Sequence, residues 1–461
     1  MEMMMVNETG RFAAALAKDL NRPELEAIAG DVASTLTEIR FAMSNLKSWM
    51  RPESVTTPLL LQMGSSRIER VPKGLVFVMG AWNFPVNLSL VPAMSAIAAG
   101  NCVVLKPSEI SPASAQLLKE LTEKYLDQDA FRVVLGDVAE ATELLSRKWD
   151  HIFYTGNAVI GRIVMEAAAK HLCPVTLELG GKCPCIVDKG LSASQLRVAA
   201  DRIVWTGLFL NAGQICLAPD YVLVHKDAER EVCEALKAAV ARMVRKETAK
   251  SDMSRVVNER HFARLKNLVD TSNGEILCGG TDAAAGADQG ACFLPPTIIS
   301  RPQLSSPVMQ EEIFGPVLLV QPVEDLDKAI DFVNSRETPL GLYVFSPSAA
   351  TAESVVKRTR SGGAVINDAF MHVGSPYLPF GGSGASGFGA YHGRHGFEEL
   401  SHKRSVLKRH YFDVDRFPPY DATKLALIKK LQIGPLLPPG VKMAGAALAT
   451  ALGAVLVRSR L

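Results

Sequence analysis

Short apolar runs alternate with amphipathic stretches of helical period through most of the chain. Between residues 75 and 172 the alternation is regular. Leu75-Val-Phe-Val-Met79, Cys102-Val-Val-Leu105, Phe131-Arg-Val-Val-Leu135 and His151-Ile-Phe-Tyr154 read as buried strands, and the segments Leu90 to Ala99, Ser111 to Tyr125, Ala139 to Leu145 and the stretch reaching Lys170 as the helices between them. Strands and helices taking turns in this way predict an α/β fold with a doubly wound parallel sheet. Ahead of it, Arg11 to Met50 reads as two amphipathic helices meeting at Pro23, and Arg67 to Gly74 as extended chain. A second alternation, built on Tyr221-Val-Leu-Val224, Glu229 to Val244, His261 to Val269, Glu275-Ile-Leu-Cys278 and Val317-Leu-Leu-Val320, predicts a second α/β domain, and Leu400 to Arg409 looks like a strand. The expected divisions are a first domain over 1–178 with an extended arm near 64–74, a second over 179–367, a return segment and strand over 368–425, and a hydrophobic tail over 432–461.

The seam between the two domains carries the candidate chemistry. Thr176-Leu-Glu178-Leu-Gly-Gly-Lys182 reads as a short strand running into two glycines, which leaves the Glu178 carboxylate at a strand end. Downstream, a helix from about Ser194 to Leu210 ends in the glycine-containing loop Asn211-Ala-Gly-Gln-Ile-Cys216, which presents a thiol. A loop thiol and a carboxylate from another element suit a nucleophile and its base.

Two features of the first domain mark candidate ligand positions. Lys106 and Glu109 follow the carboxyl end of a strand, where an open parallel sheet binds ligands. Thr155-Gly156-Asn157-Ala-Val-Ile-Gly161 runs from a strand through a glycine turn into a helix, whose free N–H groups and dipole favour an anion. Its Gly-x4-Gly spacing does not match the generic dinucleotide fingerprint.

Composition narrows the partners. The chain has 461 residues, 48% of them hydrophobic, enough for more than one sizeable core. Lys plus Arg is 50 against 48 Asp plus Glu, a net charge of +2 that gives no electrostatic case for nucleic acid. Eight scattered cysteines fit a reducing compartment, Cys183-Pro-Cys185 is too close-set for the usual redox or zinc spacing, and His392 and His395, three apart, stand among glycines with no acidic ligand between them, so no metal is expected. Met1 to Gly10 lacks a basic region followed by an apolar core and is not a secretory signal. At the other end Met443 to Val457 is apolar except for Thr450, between Lys442 and Arg458. Fifteen residues rise about 22 Å as helix, short of a ~30 Å hydrocarbon core, a deficit that snorkelling flanks reduce. Gly445, Ala449 and Gly453 set small residues four apart, as membrane helix interfaces do. The tail is expected to anchor the protein to a membrane.

Leu177-Glu-Leu-Gly-Gly-Lys182, Gly213-Gln-Ile-Cys216, Trp82-Asn-Phe-Pro85, Lys106-Pro-Ser-Glu109 and Glu311-Glu-Ile-Phe-Gly-Pro316 stand in the order and spacing of the aldehyde dehydrogenase superfamily, which the chain resembles from about Phe12 to Arg409. Ala168-Ala-Lys-His-Leu-Cys-Pro-Val-Thr176, Ala218-Pro-Asp-Tyr221 and Ser401-His-Lys-Arg-Ser405 are similar to its class 3 branch, which handles medium-chain, long-chain and aromatic aldehydes. The resemblance implies a Rossmann-like α/β domain that binds NAD and a second, catalytic α/β domain. It makes Cys216 the nucleophile, Asn83 the donor to the oxyanion, and Glu178 or Glu312 the hydrolytic base. Lys106 and Glu109 are then expected on the adenosine ribose, Gly156, Asn157 and Gly161 near the pyrophosphate, Glu312 on the nicotinamide ribose and Phe314 beside the ring. A glutamate at 109 repels a 2′-phosphate, which favours NAD while leaving NADP open. The glycine-rich Leu378 to Gly387 is expected as a loop closing the substrate side, and the strand near 400–409 is expected to pair with the arm near Arg67 and bridge a homodimer. With the tail inserted, the body faces the cytoplasm at an intracellular membrane of the endoplasmic reticulum type; without insertion it is cytoplasmic. The alternatives are a coenzyme A-acylating relative, and an inactive membrane-bound relative with a binding role.

Overall fold

The computed structural model describes residues 1–58, 61, 64–244, 252–411 and 417–429. The tail expected to enter a membrane lies outside the described residues. Among those described, no helix is long and apolar enough to cross one.

The larger of two compact units comprises Met1–Leu46 and Pro72–Ser401 and holds two sheets. In the first, the strands Val175–Glu178, His151–Thr155, Leu75–Met79, Cys102–Lys106 and Phe131–Val133 lie side by side in parallel register. Helices cover it, as buried apolar strands require. Phe77, Ile152, Tyr154 and Leu177 pack with Trp149, Val164 and Ala168, and the rings of Phe77 and Trp149 stack with centroids 4.9 Å apart. The second sheet runs Glu275–Cys278, Thr297–Ser300, Val317–Val323, Pro219–His225, Cys183–Val187, Gly341–Phe345 and Gly363–Ile366, parallel except for its first strand. Its core joins Tyr221, Leu223, Leu319, Leu342 and Val344 to Phe262, Leu265, Ile330 and Val355. This is the expected pair of α/β domains. The chain leaves the first sheet at Glu178 and enters the second at Cys183.

The smaller unit contains Lys47–Val71 and the described residues from His402 onward. Glu53–Val55, Gly64–Pro72 and Ser401–Arg409 form a three-stranded sheet in that order. The strand near 400–409 therefore does lie beside the arm near Arg67, and Glu69 accepts from both Arg67 at 2.8 Å and Arg404 at 2.6 Å.

Two expectations need correction. The helix expected as far as Leu210 ends at Val204, gives way to a wider π turn over Trp205–Phe209, and then leaves helical geometry altogether. The glycine-rich stretch before residue 388 is more than a loop: Gly387–Phe388 returns to the first sheet and pairs antiparallel with Leu177–Glu178. The reason is steric. Gly387 has φ 118° and ψ −168°, a region that only glycine occupies without strain, and a Cβ there would stand 1.9 Å from the Leu177 carbonyl oxygen.

Gly387→Ala should therefore destabilise the protein by at least about 1–3 kcal/mol from backbone strain alone. Urea unfolding checks this; a loss within about 0.5 kcal/mol, the range of a neutral surface change, would show that the edge strand yields without cost.

Candidate active site

The carboxyl ends of the first sheet and the loops facing them enclose a cavity of about 460 Å³. Of the ten residues singled out by sequence, it is lined by Asn83, Lys106, Glu109, Gly156, Asn157, Glu178, Cys216, Glu312 and Phe314. Gly161 is not among its walls: there the helix Ala158–Ala169 packs against Leu177 and Leu179.

Cys216 owes its place to a loop held from several sides. Asn211, Ala212 and Gly213 all have positive φ, at 48°, 51° and 67°. Asparagine and glycine tolerate this, but alanine pays roughly 1–2 kcal/mol for it. Gly213 has no alternative, since a Cβ would lie 2.3 Å from the Gly315 carbonyl oxygen. Hydrogen bonds hold the turn. Asn211 Nδ2 donates to the carbonyls of Asn83 at 2.9 Å and Gln214 at 3.0 Å, its N–H donates to Glu26 at 3.0 Å, and Gln214 Nε2 donates to Asn211 and to Arg255. Asn83 is tied into the same turn, its Nδ2 donating to the Gln214 carbonyl at 3.0 Å. One of the two amide hydrogens on Nδ2 is thereby used, and the other is left for the cavity. The buried Arg22, paired with buried Asp31, donates to the Asn83 carbonyl from the other side.

The charges in this space oppose one another. Neither carboxylate oxygen of Glu178 has a hydrogen-bond partner among the described residues, and Oε1 of Glu312 has none. Burial, aided by the charge of Glu399, raises the Glu178 pKa well above the usual carboxylate range. Glu312 is pushed up to about 8, by burial first and Asp220 second, against the opposing pull of the Gly181 N–H, Lys182 and Arg264. The Cys216 thiol is also raised, by burial, then by Glu312 and Glu178; the backbone N–H groups of Cys216 and Leu217 pull the other way. At neutral pH the site therefore rests with its thiol protonated. Glu312 is held in place by its neighbours: Arg264 donates to its carbonyl at 3.3 Å, and Asp220 receives the N–H of Ile313 at 2.8 Å and of Cys183 at 3.1 Å.

At the far end of the cavity Lys106 Nζ meets Glu109 Oε2 at 3.0 Å. Asn157 caps the helix Ala158–Ala169 through its side chain, accepting from Ile160 at 3.0 Å, so its own amide carbonyl is committed and the free N–H groups of that first turn are those of Ala158 and Val159. Thr155 Oγ1 is buried without a hydrogen-bond partner among the described residues. Orphaned polar atoms, a helix N-terminus and a Lys–Glu pair along one continuous cavity fit a dinucleotide. Phe314 and Trp82 meet edge to face at 5.3 Å, and Trp82 meets His261 at 5.4 Å, giving that wall an aromatic lining.

Sequence reasoning missed several residues here. His261 and Arg264 line the cavity from one helix, Tyr391 has a buried hydroxyl with no partner among the described residues, and Arg22, Glu26, Asp31 and Asn211 hold the thiol loop. Only Asn211, two residues before Gly213, carried a local signal, that of a left-handed turn.

The Aldehyde dehydrogenase family model matches residues 1–406. "Aldehyde dehydrogenase, dimeric NADP-preferring" of Mus musculus is 46% identical over 424 residues, covering 91% of each chain. "Aldehyde dehydrogenase family 3 member B1" of Mus musculus is 44% identical over 419 residues, 90% of this chain and 87% of that one. Among solved structures, the substrate-bound state of Staphylococcus aureus AldH superposes with a TM-score of 0.88 at 36% identity, over 93% of this chain and 92% of that chain.

The raised pKa of Glu312 makes stability pH-dependent. Between its unfolded value near 4.5 and about 8, the native state keeps a proton that the unfolded state has lost, so this group's contribution falls as pH rises, by about 1.4 kcal/mol per unit. Glu312→Gln removes that term. The stability of the variant relative to the parent should increase steadily from pH 5 to 8 in denaturant titrations and level off above 8; a difference that stays constant with pH would contradict it.

Proposed function

The chain belongs to the aldehyde dehydrogenase family, and we propose that it oxidises medium- to long-chain aliphatic or aromatic aldehydes to carboxylic acids with NAD(P), through a covalent acyl intermediate on Cys216. The observation that carries this reading is the sharing of one cavity by Cys216, Glu178 and Asn83 at one end and Lys106 and Glu109 at the other.

The Cys216 thiol gives up its proton to solvent, the thiolate attacks the aldehyde carbonyl, and the oxyanion is received by the spare N–H of Asn83 and by the Cys216 backbone N–H. Preorganised donors of this kind contribute about 3–4 kcal/mol. When bound, NAD(P) supplies the acceptor for the aldehyde hydride, which leaves a thioester on Cys216. Lys106 and Glu109 hold the adenosine ribose, the first turn of Ala158–Ala169 the pyrophosphate, and Glu312 and Phe314 the nicotinamide end. Glu178 then takes a proton from the water that releases the acid. Its two free oxygens, against one of Glu312 engaged by Gly181, support Glu178 over Glu312 as that base. The carboxylate of Glu109 favours NAD over a 2′-phosphorylated cofactor.

A homodimer is the proposed assembly, supported by the dimeric relative and by the exposed strand Ser401–Arg409. The apolar run over 443–457 supports anchoring at the cytoplasmic face of an intracellular membrane.

With a series of aldehydes and either cofactor, turnover should rise with chain length and yield the free acid, with no requirement for coenzyme A. Cys216→Ala should abolish it while cofactor binding, followed by protein fluorescence, persists; Asn83→Ala should lower kcat about 10²–10³-fold. Absence of turnover with every aldehyde, in folded protein that binds NAD, would overturn the assignment.

A further inference from the structure

Hydrolysis of a thioester leaves Glu178 holding a proton in a cavity where neither of its oxygens has a partner among the described residues. Two positions earlier on the same strand, and so on the same face, stands Thr176. Its Oγ1 lies 2.7 Å from Glu399 Oε1 and 2.8 Å from His151 Nε2, and His151 Nδ1 lies 3.0 Å from Lys73 Nζ. The directions follow from the donors. Lys73 as an ammonium can only donate, so Nδ1 accepts, Nε2 carries the hydrogen and gives it to Thr176, and the threonine hydroxyl gives its own to Glu399. Burial and Lys73 push His151 down to about 3, which keeps the imidazole neutral as this arrangement needs.

Every donor in the chain thus points toward Glu399. Thr176 and His151 are fully buried, whereas Glu399 is partly exposed and Lys73 is half-buried. Space for the junction comes from Gly389, where a Cβ would stand 2.7 Å from both Glu399 Oε1 and Thr176 Cγ2. The charge of Glu399 is felt at Glu178, where it opposes ionisation.

We propose that Glu399 is the proton exit of the hydrolytic step, receiving the proton of Glu178 and passing it to solvent, with Lys73, His151 and Thr176 fixing its place. This rests on Glu178 being the base. In balance, the water oxygen bonds to the thioester carbon and its proton moves to the Glu178 carboxylate. The carbon–sulfur bond breaks with its electron pair on Cys216, the acid leaves, and the Glu178 proton passes through a bridging water to Glu399 and out. Glu399 touches no reacting atom and acts through Glu178.

The test uses the full-length protein without cofactor. Cys216 is acetylated with p-nitrophenyl acetate, and decay of the acetyl-protein is followed by intact mass at fixed pH and rising concentrations of formate or imidazole. Glu399→Gln should acetylate normally, lose its acetyl group at least about tenfold more slowly than the parent in dilute buffer, and recover toward the parent rate as the small acid replaces the lost carboxylate. Thr176→Val carries the same readout should that variant fold poorly. A Glu399→Gln protein that deacetylates at the parent rate, or is slow but indifferent to buffer, overturns the proposal. Glu178→Gln in parallel keeps the two readings apart. If it alone fails to deacetylate, Glu178 stands as base and only the exit is wrong; if it deacetylates normally, the base assignment falls and takes the exit with it.

Discussion

Cys216 shares its cavity with two carboxyl groups that each raise the cost of its ionisation, and the working of the site depends on that opposition. Like charges at close range in a poorly solvated space cost several kcal/mol, so thiolate and carboxylates cannot all be present together. Forming the thiolate therefore requires that its proton be given a way out. Two amides directed at the sulfur and the unpartnered oxygens of Glu178 are the local means for moving it. Solvent exclusion, which makes the thiolate hard to form, also makes it a strong nucleophile once formed.

Two buried ion pairs supply the rigidity that such a site needs. Arg22–Asp31 grips the backbone of Asn83, and Lys182–Asp220 ties the start of the second sheet to the segment of Glu312. Buried pairs are weak evidence for stability, because desolvation offsets most of their attraction, while loss of one partner costs about 3–5 kcal/mol. Their value here is geometric. Each fastens a backbone group beside a residue of the cavity, where a shift of an ångström changes the alignment of donor and carbonyl.

Much of this was legible in the chain. The first sheet followed from apolar runs at regular spacing, and Glu178 and Cys216 from a strand end before two glycines and a loop after a helix. Elements set by distant partners were not legible. The strand Gly387–Phe388 is two residues of glycine-rich sequence whose pairing is decided by the Leu177–Glu178 edge it meets. The helix before Cys216 read as continuous to Leu210, and nothing in its apolar spacing marked the π turn over Trp205–Phe209. Asn157 read as a cofactor residue from its place after Gly156, and its side chain serves as a helix cap. Arg22, Glu26 and Asp31 sat in a stretch that read only as amphipathic helix, since nothing local distinguishes a solvated charge from one buried against distant partners such as Asn83, Asn87 and Asn211.

The loop of Cys216 shows why those distant residues matter. Three successive left-handed residues, one of them an alanine, form a conformation that the segment would not hold by itself. The strain is offset by hydrogen bonds that Asn211 and Gln214 donate to Glu26, Asn83 and Arg255, each worth about 1 kcal/mol net. Those partners come from the N-terminal helices, the first sheet and the second domain, so the position of the thiol is a property of the assembled fold. A nucleophile fixed in this way is placed only when all three parts are packed together, which couples the chemistry to folding of the whole unit and leaves a partly folded chain without a reactive cysteine.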